Sequence, residues 1–172
     1  MKNYSMVIYP CTLVKEIMQI KQELKALVGW YHSVNAEAHF TICEFFADED
    51  DLFQIKEEVT NLITKWRKQI IRFESFDSYE GGAFYLKPDE PSNIYLEELF
   101  KSIGYKVKSI IPDAYVCTSP HLSIGRKLDK NKLSIAKKTF TSYASSFLCD
   151  GVLLREFNPN KRQYELKEYI KF

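Results

Sequence analysis

A chain of 172 residues fits one domain, or one domain built of two similar lobes, and 45% hydrophobic with 15% aromatic residues is enough for a substantial core. A net charge of +1 excludes a protein that coats nucleic acid by bulk electrostatics, so any nucleic-acid partner has to be held in a local site. The four cysteines (Cys11, Cys43, Cys117 and Cys149) form no C-x-x-C pair, which speaks against a zinc site, a thioredoxin-like motif and a disulfide framework.

Tyr4 to Tyr9 is short, apolar and β-branched and stops at Pro10, which predicts a strand. Leu13, Val14, Ile17, Ile20, Leu24, Leu27 and Val28 recur at helical spacing, with Thr12 as N-cap and Gly29 as C-terminal stop. His32 falls in the loop that follows. Ala38 to Phe46 reads as a strand. Asp48 to Asp51 opens the next helix, where negative charge suits the helix dipole, and Leu52, Ile55, Val59, Leu62, Ile63 and Trp66 form its buried stripe.

Ile70 to Phe76 and Ala83 to Lys87 read as a hairpin, turned through Gly81-Gly82. Leu96, Leu99, Phe100 and Ile103 make a short helix ended by Gly104. His121 to Gly125 is a strand, and Asp129 caps a lysine-rich helix through Phe140. Ser146 to Phe157 reads as one strand bent at Asp150-Gly151, and Gln163 to Ile170 as the last strand. Interleaved helices and strands with hairpin signals predict an α+β fold with antiparallel sheets. The polar N-terminus and the lack of a long apolar run lead us to expect a soluble, cytoplasmic protein with no membrane partner.

One short pattern occurs twice: His39-Phe40-Thr41-Ile42 and His121-Leu122-Ser123-Ile124. Two of the chain's three histidines lie in it. Alternation on a strand sets His39 and Thr41 on one face and Phe40 and Ile42 on the other, and treats His121 and Ser123 in the same way. Histidine gives and takes protons near neutral pH. Two imidazoles flanking one phosphorus suit in-line displacement, one deprotonating the attacking water and the other protonating the departing oxygen. The hydroxyls of Thr41 and Ser123 donate to the non-bridging oxygens. No metal or cofactor is called for. The sequence leaves open which histidine is the base.

The motifs His39-Phe40-Thr41-Ile42 and Pro120-His121-Leu122-Ser123-Ile124-Gly125-Arg126, with the order of elements around them, resemble the two-histidine phosphoesterase superfamily of 2′-5′ RNA ligase-like proteins. Ser123 stands where threonine is commoner. The resemblance implies a bilobal α+β fold, with antiparallel sheets flanking a central cleft, helices outside and one motif from each lobe. It implies metal-independent hydrolysis of 2′,3′-cyclic or related phosphodiesters at RNA or nucleotide ends. Two alternatives stand beside it: RNA-end ligation or 2′-5′ oligonucleotide cleavage on the same site, and a module that binds phosphorylated RNA ends without turnover. A monomer is expected.

Other residues weigh less. Alternation places Arg126 opposite His121, although at a strand end it can turn back toward the cleft as a phosphate clamp. Tyr85 alternates with Phe84 and Leu86; it is an ordinary strand tyrosine or a base-stacking ring in the cleft. Tyr4, Tyr115 and Tyr164 are similar cases with less support. Cys43 follows His39 and Thr41 along one strand face, and packing is the better reading of it. His32 reads as a surface residue. Lys127, Lys130, Lys132, Lys137 and Lys138 read as a solvated face with, at most, salt-sensitive attraction for RNA at the cleft rim.

Overall fold

In the computed structural model, which describes residues 1–172, the N-terminal stretch forms β1 (Lys2–Ile8). Tyr4, Met6 and Ile8 enter the core cluster, whereas the alternate residues Ser5 and Val7 are buried outside it. α1 (Val14–Val28) presents Ile17, Lys21 and Leu24 inward and stops at Gly29, whose φ of 76° lies in the region that favours glycine. Thr12 does not cap it. The chain leaves β1 in a tight turn, with the Leu13 N–H donating to Pro10 O at 2.8 Å, and this makes Leu13 the cap position.

β2 (Phe40–Ala47) leads into α2 (Glu49–Ile63), where the Asp48 carboxylate accepts the Asp51 N–H at 3.0 Å. β3 (Gln69–Tyr79) and β4 (Ala83–Pro88) form the hairpin, and β3 runs three residues beyond Phe76. α3 (Glu90–Ile110) is far longer than the apolar spacing suggests, because Asp89 caps it early by accepting the Ser92 N–H at 2.9 Å. Gly104 lies inside this helix and does not end it. A Cβ there would come within 2.4 Å of the Val116 side chain, so the glycine lets β5 (Tyr115–Val116) close onto the helix. The helix stops instead at Ile111, which is extended ahead of Pro112.

β6 (Leu122–Gly125) is followed by α4 (Lys130–Thr139), capped by Asp129 accepting the Lys132 N–H at 2.9 Å. The single bent strand expected over Ser146 to Phe157 is two strands, β7 (Ser145–Cys149) and β8 (Gly151–Asn158). The chain switches partners at Asp150: β7 pairs with β3, and β8 pairs with β1 and with β9 (Gln163–Lys171). Gly151 is required at this crossing, since a Cβ would sit 2.6 Å from Ile170 O.

All the strand pairs are antiparallel, in the order β7-β3-β4-β6-β2-β1-β8-β9, with β5 beside β2. Two halves therefore meet at β6 and β2, where the register is the one pair Phe40↔Leu122. The sheet curls about this seam into a half-barrel, and the apolar stripes of all four helices share one core with Phe40, Ile42, Leu122 and Ile124. Phe40 is 0% exposed, with Phe73 and Phe147 stacked at ring-centroid distances of 5.8 and 6.2 Å. The fold is α+β with antiparallel strands, as expected.

Candidate functional site

The packing under the seam decides what lies above it. Phe40 and Leu122 face each other, both fully buried, so the residues flanking them turn to the opposite, concave face. Carried one residue either way, the antiparallel register sets His39 across from Ser123 and Thr41 across from His121. The two motifs are thus related by an approximate two-fold axis through the Phe40–Leu122 pair. Each histidine stands one residue ahead of its strand, and all four polar residues are half-buried.

The backbone treats the two imidazoles alike. His39 Nδ1 donates to Glu37 O at 2.7 Å, and His121 Nδ1 donates to Ser119 O at 2.8 Å. A carbonyl only accepts, so each neutral ring carries its proton on Nδ1 and keeps Nε2 bare. The bond also fixes ring orientation, with the carbonyl two residues back in both motifs.

The surroundings differ. Loss of water is the first cause that pushes the His39 pKa down, to about 3, followed by the positive charges of Arg155, Lys21 and Arg126 against the opposing pull of the Glu37 carbonyl. His121 lies among phenol rings, with Tyr79 edge-on at 5.7 Å and Tyr85 tilted at 5.3 Å between centroids. Tyr79 also stacks on Tyr85 at 4.7 Å, and its hydroxyl is hydrogen-bonded to Ser119 Oγ at 2.8 Å. One residue, Ser119, therefore holds His121 through its carbonyl and the adjacent ring through its side chain.

Of the residues read from the sequence, Tyr85 lies on the concave face, paired in register with Ser123. It is buried yet outside the core cluster, as are Val7 and Leu153 on the other wall. Burial is the first cause that raises its phenol pKa, with Tyr79 and Asp77 adding to it. Arg126 is exposed at the end of β6, and its charge reaches both the His39 ring and the Tyr115 phenol. His32 is exposed; its carbonyl accepts the Arg126 N–H at 3.1 Å and its ring meets Trp30 at 4.9 Å. Cys43 is not on the histidine face. The register shift between Met6 and Val7 makes Ile42 the extra residue of a bulge, so Cys43 turns into the core, where burial raises its thiol to about 12.

Three features around the site lie outside what the sequence pattern predicts. Tyr79 was read as turn because β3 was ended at Phe76; alternation carried on from Ser75 and Asp77 finds it opposite Ala83, beside Tyr85. Lys21 lies on a buried helix stripe, where apolar spacing gives no reason to look for a cation. Its Nζ donates to Ser33 O at 3.2 Å and Ala36 O at 2.7 Å, and so ties down the loop leading to His39. Burial lowers its pKa to about 8. Arg155 gives no signal in sequence, because nothing local marks β8 as a wall of the cleft.

No three His, Cys, Asp or Glu side chains gather as a metal site would require, and no helix is long and apolar enough to cross a membrane. Two surface hollows, about 520 Å³ between α2 and α3 and about 700 Å³ beside α4, hold none of the residues above.

Solved structures with the same fold include Escherichia coli LigT complexed with 3′-AMP (TM-score 0.70, 11% identity, covering 99% of this chain and 97% of that one). TT0787 of Thermus thermophilus has TM-score 0.69 and 13% identity over 99% and 97% of the two chains. Kluyveromyces marxianus Usb1 has TM-score 0.61 and 12% identity over 99% and 98%. No curated protein sequence matches the chain. The family model of the 2′-5′ RNA ligase superfamily matches residues 9–160, and the chain belongs to that superfamily, the two-histidine phosphoesterases.

Proposed function

We propose that the chain is a metal-independent phosphodiesterase that opens 2′,3′-cyclic phosphates, or related phosphodiesters, at RNA or nucleotide ends. The observation that carries this reading is the pairing across the seam: each imidazole lies opposite the other motif's hydroxyl, with Nδ1 tied to a carbonyl and Nε2 free. LigT has been crystallised with 3′-AMP, ATP and NADP+, and a nucleotide ligand suits a cleft with tyrosines on one side and arginines on the other.

In this reading the phosphorus sits over the Phe40–Leu122 pair. His39, which its burial and its cationic neighbours keep neutral, takes a proton on Nε2 from water as the water oxygen bonds to phosphorus. The bond from phosphorus to one ribose oxygen breaks in line, and His121, which enters the step as the imidazolium with a second proton on Nε2, gives that oxygen the Nε2 proton. The product carries a phosphomonoester and a hydroxyl, and proton exchange with solvent resets the two rings. An arriving phosphate anion offsets the positive field on His39 and strengthens it as a base at the moment it is used. Thr41 and Ser123 donate to the non-bridging oxygens, Arg126 balances their charge from the end of β6, and Tyr85 with Tyr79 offers a stacking surface for the base.

The test is turnover of nucleoside 2′,3′-cyclic phosphates, and of RNA ending in one, with EDTA present. Activity is expected in EDTA for the natural chain and not for His39→Ala or His121→Ala. Full activity in either variant overturns the assignment. Product analysis separates hydrolysis from end joining and from cleavage of 2′-5′ linkages.

A further inference from the structure

The strand register places a second charged group in the cleft. Across β2, β1 and β8 one row reads Thr41, Val7, Leu153 and the next reads Glu44, Ser5, Arg155. Cross-strand partners share a face, so Arg155 rises from the same concave face as Thr41, two strands away on the wall that continues the His39 half. It is 8% exposed. Its Nη2 donates to Ser5 Oγ at 3.2 Å and its Cζ lies 4.9 Å over the Tyr164 ring. Its Nε has no partner. The ion pairs of the molecule, Lys2–Glu156, Lys56–Glu168, Lys106–Glu58, Lys161–Glu165 and Lys167–Glu156, all leave it out. Burial lowers its pKa to about 10, and the negative charges of Glu44 and Glu37 reach it only from beyond ion-pair distance. A buried guanidinium without a directly bonded carboxylate is unfavourable, and its fork matches phosphate oxygens two at a time.

We propose that Arg155 binds a second phosphate of the substrate, one that is not the phosphate being cleaved. The proposal rests on the reading that the scissile phosphorus lies over the Phe40–Leu122 seam. Neighbouring strands are about 4.8 Å apart, so the two steps from β2 to β8 set the base of Arg155 roughly 10 Å from the strand that carries Thr41. That offset is wrong for clamping the reacting phosphate and suits another phosphate on the same nucleotide or on the next one. Stacking on Tyr164 and the bond to Ser5 hold the guanidinium in place before any ligand arrives, which lowers the ordering cost of binding. Of the neighbouring charges, that of Arg155 also acts most strongly on the His39 ring, which sets the two groups near each other. The anion is either the 5′-phosphate of a mononucleotide or the adjoining phosphodiester of an RNA strand.

Three substrates distinguish these sources: adenosine 2′,3′-cyclic phosphate, the same compound bearing a 5′-phosphate, and an adenosine dinucleotide ending in the cyclic phosphate. The natural chain is expected to show kcat/KM about ten- to hundredfold higher for at least one of the two-phosphate substrates, the range of a charge-assisted hydrogen bond. Whichever of the two gains identifies the source. Arg155→Met is expected to erase that preference and Arg155→Lys to keep part of it. A natural chain without preference, or an Arg155→Met variant that lowers all three substrates by one factor, overturns the proposal. Calorimetric binding of adenosine 3′,5′-bisphosphate against 3′-AMP reads the same site without turnover. The bisphosphate should bind about tenfold tighter to the natural chain and no tighter to Arg155→Met. Equal binding to the natural chain overturns the second site. A bisphosphate preference in a chain that opens no cyclic phosphate would instead overturn the hydrolase reading and leave the site standing.

Discussion

The two halves of the cleft share a backbone and differ in their chemistry. Each places a histidine one residue ahead of a strand, ties Nδ1 to the carbonyl two residues back, and sets a hydroxyl two residues on. Around His39 stand cations: Arg155, Lys21 and Arg126. Around His121 stand the rings of Tyr79 and Tyr85. The approximate two-fold symmetry fixes ring geometry, and the flanks then assign each half its work. On the proposed function, one side suits a neutral base and anionic groups, and the other offers flat surfaces to a nucleobase.

The strongest way to break the comparison is to remove one imidazole at a time. His39→Ala and His121→Ala should each lower kcat/KM on a cyclic nucleotide by about 10²- to 10⁴-fold, the contribution of one positioned acid or base. If they act as a unit, the double variant should fall little further than the worse single one. A double loss near the product of the two would show that they work separately. Next in size are the hydroxyls. Thr41→Val and Ser123→Ala should each lower kcat by up to about 10²-fold with little change in folding, because a donor to a charged oxygen is lost while the half-buried site keeps its shape. Unchanged kcat in both would remove them from the site.

The pattern of success and failure in reading the sequence follows from what each signal measures. His39, Thr41, His121 and Ser123 were legible because a strand fixes which side chains share a face, whatever lies around it. Cys43 was misplaced because one extra residue in β2 inverts the alternation after Ile42, and a bulge leaves no mark when only one strand is read. Gly104 was read as a stop because helix-ending glycines are common; only the approach of Val116 from β5 explains it inside α3. That gives a test of the fold, since Gly104→Ala should destabilise the chain by roughly 1–3 kcal/mol in chemical denaturation through overpacking, with little effect on KM. Arg155 and Lys21 were invisible because their role comes from burial among distant strands and loops.

A smaller and sharper contrast lies in protonation. The free His39 ring is neutral down to about pH 3, so its resonances should show no proton uptake between pH 8 and pH 5. The acid limb of kcat/KM, which reports the free enzyme, should then owe nothing to His39. Arg155→Met removes a positive neighbour and should raise the His39 pKa, while burial still holds it below 6.5. Linkage gives the matching sign for stability. Below pH 6.5 the unfolded chain protonates His39 and the folded chain does not, so folding weakens as pH falls from 6.5 toward 3. His39→Gln should flatten that part of the curve. A His39 ring that titrates near 6.5 in the natural chain would end the assignment of the two halves to different roles.

The smallest expected effect tests why the halves use different hydroxyls. Thr41 faces Val7 in the register, and Ser123 faces Tyr85. Threonine and serine offer the same donor and differ by a methyl, so the chemistry alone predicts free exchange. Packing does not, because a methyl added at position 123 must share its row with an aromatic ring that also meets His121 at 5.3 Å. Ser123→Thr should therefore keep kcat within about threefold, since the donor survives, and raise KM as the Tyr85 ring shifts to admit the methyl. Thr41→Ser should change neither by more than about twofold, because the donor survives and only one methyl is lost from a half-buried position. Replacing Tyr85 by Leu should make position 123 indifferent to the methyl. If Ser123→Thr is silent while Tyr85 is still in place, the difference between the two motifs owes nothing to the ring, and the stacking role assigned to that side of the cleft loses its nearest structural support.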